Sequence, residues 1–180
     1  MSLGDRLALD ASALTLEHGQ AIRDLIASGL ENSALVLLRA QHEALLRAAW
    51  LLFAASDSAI KALGAPHTPG TLKQANSLPL AHELLGDIEK SDAPEVLKRG
   101  LREFRDYSWA GVNSYAHAGL LPLGRVGSGH PEAQLVQVIQ VSNAHTYSAH
   151  MIVAAIIDPA EGTANINVIA VSYPDCMLGA

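Results

Sequence analysis

Apolar side chains recur at helical spacing along most of this chain, broken at intervals by glycine, proline and short polar runs. Asp10 or Ser12 can cap a first helix reaching about Ser28, with Leu14, Glu17/His18, Ala21, Leu25 and Ile26 near the apolar spacing. Gly29 is its stop signal, and residues 1–9 read as a short leader. The stretch from Glu31 to Ala55 is the most hydrophobic. Its core, Ala34 to Ala55, is long enough to suggest a membrane span. Arg39, His42, Glu43 and Arg47 stand at its centre, however, and a central arginine costs about 2.5–3.5 kcal/mol in hydrocarbon even on a lenient scale. The stretch therefore reads as a central helix buried nearly all round. Ser56-Asp57-Ser58 can cap a short helix ending near Gly64, and two prolines and a glycine make residues 66–70 a loop.

One or two short helices are expected from Thr71 to Gly86, interrupted around Pro79, and a polar turn from Gly86 to Ala93. Pro94 can open a long fourth helix ending at Ala118 or Gly119. Gly124, Gly127 and Gly129 make residues 120–130 a glycine-rich turn, and Pro131 begins a fifth helix to about Ile157. Leu135, Val138, Ile139, Ser142, Thr146, Ala149, Ile152/Val153 and Ile156 form its buried side. Asp158 to Glu161 has capping-box spacing for a last helix to about residue 176. Residues 165–171 also alternate like a strand, but a lone strand would find no partner, so helix is preferred. The pattern predicts an all-α fold: one domain over residues 1–180, an up-and-down bundle of five to six helices with its core at 10–157.

Composition agrees with that reading. Of 180 residues, 49% are apolar, 17% charged and only 4% aromatic, which suits helix packed on helix. The net charge of −6 argues against attraction of nucleic acid by the whole surface and leaves room for a local basic stripe. Cys176 is the only cysteine, and the N-terminus lacks the basic-then-apolar form of a signal peptide, so a cytoplasmic protein is expected.

Candidate chemistry concentrates between Arg102 and His130. On a straight helix Lys98, Arg102, Arg105, Trp109, Asn113 and His117 share an arc of about 120°. His117 is the sharpest candidate, because the end of a helix favours its protonated form and a loop follows it. A histidine in the last turn can equally bond a frayed carbonyl. Arg39, Glu43 and Arg47, at i, i+4 and i+8, form one charged line whose neighbours can pair. That line reads first as a structural network, with Glu43 substantially buried. His145 and His150 lie five apart and miss a shared face, so no metal site is expected. The run Gly124 to Gly129 lacks the Gly-Lys-Ser/Thr of a phosphate loop, and no cofactor is implied.

Two short motifs, Leu38-Arg39-Ala-Gln-His-Glu43-Ala-Leu-Leu-Arg47-Ala-Ala-Trp50 and Asn113-Ser-Tyr-Ala-His117-Ala-Gly119, resemble bacterial families at the edge of the HEPN superfamily. The resemblance covers about residues 30–125. It implies an all-helical bundle, often a homodimer, found in toxin–antitoxin, abortive-infection and RNA-processing systems. It also implies metal-independent RNA cleavage by an arginine and a histidine in the pattern Arg, polar residue, three residues, His. Asn113 and His117 match that pattern as catalytic positions, whereas Val112 occupies the arginine position. A replacement would have to come from Arg39, Arg47, Arg125 or a second subunit. Arg102, Arg105, Arg125, Tyr115 and Trp109 are expected binding residues.

Three readings follow: a non-catalytic HEPN-like module meeting RNA, a nucleotide or a protein partner; a ribonuclease with a composite Arg/His site; and a metal-bound helical enzyme. None involves a membrane.

Overall fold

A computed structural model describes residues 1–66, 68, 70 and 79–178. Among these residues it contains nine α-helices, one short 3-10 turn and no strand. The all-helical expectation holds, but the helix count exceeds five to six.

The first helix, α1, runs Leu3–Ala27, with Ser2 rather than Asp10 or Ser12 as its N-cap. The cause is a capping box: the Asp5 N–H donates to Ser2 Oγ, and the Ser2 N–H donates to the Asp5 carboxylate. The expected leader is therefore the cap and the first two turns of a helix. At the other end Gly29, at φ +72°, closes a Schellman motif in which the Leu30 N–H reaches the Leu25 carbonyl at 2.8 Å. The chain reverses there into α2, Glu31–Phe53.

The face that α1 buries is not the apolar one expected. Gly4, Ala8, Ser12, Thr15, Gly19 and Ile22 are inside, while Leu14 is exposed. These small residues let α1 approach α2 and a later helix closely. A Cβ on Gly19 would stand 2.6 Å from Thr146 Oγ1 and 2.7 Å from Gln41 Nε2. The buried Gln41 amide bridges the seam, donating to the Ser142 carbonyl at 3.1 Å and to the Thr15 carbonyl at 3.3 Å.

Helix α2 is the centre of the molecule. Ala44, Leu45, Leu46, Ala48, Ala49, Trp50 and Leu51 are all buried, which on a helix covers every direction. Around it lie α3 (Asp57–Leu63), α4 (Ala81–Lys90), α5 (Glu95–Tyr107), α6 (Trp109–Ala116), α7 (Leu120–Ser128), α8 (Glu132–Ile157) and α9 (Glu161–Ser172). Among the described residues no helix is long and apolar enough to cross a membrane.

Three boundaries differ from expectation. The long fourth helix is two helices, α5 and α6, divided at Ser108 (φ −114°), where the buried stripe Leu97, Leu101, Phe104 calls for an apolar side chain. The glycine-rich turn 120–130 is mostly α7. Its Pro122 sits in the first turn, where a missing N–H is tolerated, and Gly129 at φ +69° ends it. The polar turn 86–93 shrinks because α4 runs through Gly86 to Lys90. Helix α9 resolves the choice at 165–171 in favour of helix. The predicted loop at 66–70 and the helices starting at Thr71 fall largely on residues 67, 69 and 71–78, which lie outside the described residues.

Candidate functional site

Arg39 is the hub of the site. It sits on α2, one turn before Glu43, and three different groups hold its guanidinium. Its Nε donates to Glu43 Oε1 at 3.0 Å, the i, i+4 pair anticipated from the spacing. Its plane lies over Trp109, 5.2 Å from the ring centroid, where the face of the ring attracts a cation. Its Nη1 stands 3.1 Å from Nε2 of His117. A guanidinium can only donate, so Nε2 accepts and the neutral His117 carries its proton on Nδ1.

The end of α6 positions that histidine. His117 is the C-cap; Ala118 follows at φ +50°, and the Gly119 N–H reaches back to the Ser114 carbonyl at 2.7 Å. This is a second Schellman closure, with alanine in the left-handed conformation that glycine usually takes. Gly119 is required next to it, since a Cβ there would lie 2.6 Å from Ser114 Oγ. His117 itself is exposed.

On the other side of Arg39 a cleft of about 260 Å³ opens between α2, the start of α4 and the α5–α6 junction. Arg39, His42, Glu43, His82, Arg105 and Trp109 are its polar and aromatic walls. Glu43 is 42% exposed at its side chain, so the expectation of a substantially buried carboxylate is wrong. The Arg39–Glu43 pair is a partly solvated one, and solvent screens it. Glu43 does not ion-pair with Arg47, which lies farther along the helix. Burial holds the Arg47 guanidinium below its usual range, against the opposing effect of Glu43, and its Nη1 has no hydrogen-bond partner.

At the floor of the cleft lies a group that spacing alone did not reveal. His42 and His145 are both buried and meet through Nδ1 and Nε2 at 3.3 Å. His42 is stacked on Phe104 with ring centroids 4.0 Å apart and 19° between planes. Burial, then the neighbouring His145, holds the His42 imidazole well below its ordinary range. Burial alone pushes His145 down to about 3. Both rings are neutral near pH 7. The signal in the sequence was their placement on the apolar faces of α2 and α8, which by itself marks a core histidine.

The remaining candidates divide. Trp109 and Arg105 belong to the cleft, although Arg105 also bonds the neighbouring Asp106 at 2.8 Å. Arg102 instead ties α5 to α4 by two bonds of 2.9 Å to Glu89. The break at Ser108 separates that lower half of the stripe from Asn113 and His117. Tyr115 is buried in the core beside Val112, with His130 the nearest ring at 5.7 Å. Val112, at the motif's arginine position, faces the same core. Arg125 donates to the Gly129 carbonyl at 3.4 Å, closing its own helix rather than reaching His117. Asn113 keeps a buried Oδ1 without a partner. Among the described residues no group of three or more His, Cys, Asp or Glu side chains could hold a metal ion.

Fold and site together define an all-helical protein with an arginine–histidine pair at the rim of an aromatic-walled cleft. The chain belongs to DUF6988, a family of unknown function whose model matches residues 12–179. No curated protein and no solved structure matches it.

Proposed function

We propose that the Arg39–His117 pair binds a phosphate group of RNA or of a nucleotide, making this a HEPN-like binding module. One observation carries the reading: Arg39 reaches His117 across 78 residues of sequence, at 3.1 Å. A guanidinium with two fixed donors and an imidazole that can gain a proton are complementary to one phosphate. Trp109 and Arg105 beside them offer a ring and a second cation to the rest of the ligand. The net charge of −6 opposes a long polyanion track and favours a short or single-nucleotide contact.

Binding is favoured over cleavage by the same hydrogen bond. The lone pair that would accept a 2′-hydroxyl proton is on His117 Nε2, and Arg39 already engages it. A ligand phosphate entering between the two would displace that bond, taking a donor from Arg39 and, once Nε2 has gained a proton, one from His117.

The second reading, metal-independent RNA cleavage, rests on Arg39 supplying the charge that Val112 cannot. In that case His117 would move the proton and Arg39 would stabilise the developing negative charge. Fluorescence anisotropy with a short single-stranded RNA separates the readings when the same mixtures, in EDTA, are run on a gel. The expected result is salt-dependent binding, weakened at least tenfold in Arg39→Ala, with the RNA left intact. Cleavage that needs both Arg39 and His117 would establish the second reading instead. Binding unchanged in Arg39→Ala would remove both.

The HEPN resemblance also implies a homodimer, a protein partner and a defence or toxin–antitoxin setting. For the dimer there is support next to the site: Leu120, Leu123 and Val126 of α7 are 87%, 66% and 77% exposed. Such apolar exposure directly after His117 suits a second copy of the chain.

A further inference from the structure

Helices α7 and α9 bury none of their own residues. Beside the exposed Leu120, Leu123 and Val126 of α7, α9 leaves Val168, Ile169 and Val171 exposed at 64%, 62% and 79%. No charged residue stands between Glu161 and Asp175. Fully covered, these six side chains would supply on the order of 400 Å² of apolar surface per copy. That is close to the apolar share, about 57%, of a standard interface of about 800 Å² per partner. Gly124 and Gly127 share the side of α7 that carries Leu120 and Leu123. A Cβ built on either meets no atom within 4 Å, so packing within the chain does not call for glycine there. Glycine inside a helix costs stability relative to alanine and lets another backbone approach closely.

We propose that α7 docks on α9 of a second copy of the chain, and that two such contacts, α7 of each copy on α9 of the other, close a two-fold dimer. This rests on the dimer reading given above and names the surface that covers α7. It does not depend on what the Arg39 cleft binds.

Charge selects this pairing over like with like. Residues 116–131, around α7, carry Arg125 and two histidines and no acidic residue. Residues 158–178, around α9, carry Asp158, Glu161 and Asp175 and no lysine or arginine. Packing α9 on α9 would set acid against acid, whereas α7 on α9 sets a basic segment against an acidic one. The spacing agrees. Leu120 and Leu123 are three residues apart, as are Val168 and Val171, so antiparallel helices bring Leu120 to Val171 and Leu123 to Val168. Arg125 then lies toward the Glu161 end of the partner helix. One of its nitrogens bonds the Gly129 carbonyl at 3.4 Å, and the guanidinium has further donors to offer.

The test is complementation between two variants of the full chain, Leu123→Lys and Val168→Glu, followed by light scattering at micromolar concentration. Both positions are exposed, so each variant should keep the parent's circular dichroism spectrum. Leu120→Lys and Val171→Glu form a second pair should either variant fail to fold. The parent is expected at twice the chain mass and each variant alone at the single mass. An equimolar mixture of the two should return to twice the chain mass, because one contact is then intact and the other sets Lys against Glu. A Val168→Glu variant that stays dimeric while Leu123→Lys is monomeric would overturn the proposal and leave the dimer standing, with α7 on another surface. A mixture that stays monomeric, or a parent that grows beyond two copies, would also overturn it. A monomeric parent would remove the dimer and this inference together.

Discussion

At the scale of single residues, the site turns on which charges are solvated. Glu43 is 42% exposed, so losing its pair with Arg39 should cost at most about 1 kcal/mol, not the several that a buried pair would cost. Glu43→Gln is expected to melt close to the parent, and to bind RNA more tightly because Arg39 is freed. A drop of several kcal/mol in urea unfolding would contradict this. The buried histidines give a second prediction. Their folded pKa values lie below the unfolded value of about 6.5, so below that pH the unfolded chain takes up protons that the folded one refuses. Stability is full above about pH 6.5 and falls as the pH drops, by up to about 1.4 kcal/mol per unit for each ring. The urea midpoint should therefore fall between pH 7.5 and 5.0, a window above the range where carboxylates titrate. A flat midpoint would show that the rings are not held neutral. Of the candidate site, the i, i+4 pairing of Arg39 with Glu43 was legible at this scale, whereas the contacts of Arg39 with His117 and Trp109 join different helices and were not. The surroundings of Tyr115 and Arg102 were not legible, because spacing on one helix says nothing of what the neighbouring helix presents. For Arg102 that neighbour is Glu89, and for Tyr115 it is the core.

At the scale of elements, α2 carries the fold. Leu45 is 1% exposed, and Leu45→Ala should cost roughly 2–5 kcal/mol, measurable as a lower urea midpoint with an unchanged slope. A loss below 1 kcal/mol would mean that the helix is not the core element. That role was readable from composition, since residues 44–51 are apolar in every direction except at Arg47. The face of α1 was not readable. Its contact with α2 and α8 is built from glycine, alanine, serine and threonine, which close approach favours and a hydrophobicity pattern overlooks. The division at Ser108 and the helix in the glycine-rich stretch were missed for a related reason. Gly124 and Gly127 each cost a helix about 1 kcal/mol, which argued for a turn; α7 forms nonetheless, in contact with α6 and α2 but with none of its residues buried.

At the scale of the whole molecule, the chain folds back so that the middle of α2 meets the end of α6, and the composite pair exists only through that meeting. The exposed apolar side of α7 lies beside it, and light scattering at micromolar concentration is expected to give twice the chain mass. A Leu123→Lys variant should then return the chain to a monomer, and a parent that is already monomeric would remove the dimer. The central claim is that Arg39 and His117 act on one phosphate as a unit. A double-mutant cycle on RNA affinity tests it most directly, using Arg39→Ala, His117→Ala and the two combined. The account predicts at least a tenfold loss in each single variant, and a combined loss no greater than about that of the worse one. Additive losses, or a His117→Ala variant that binds like the parent, would contradict it.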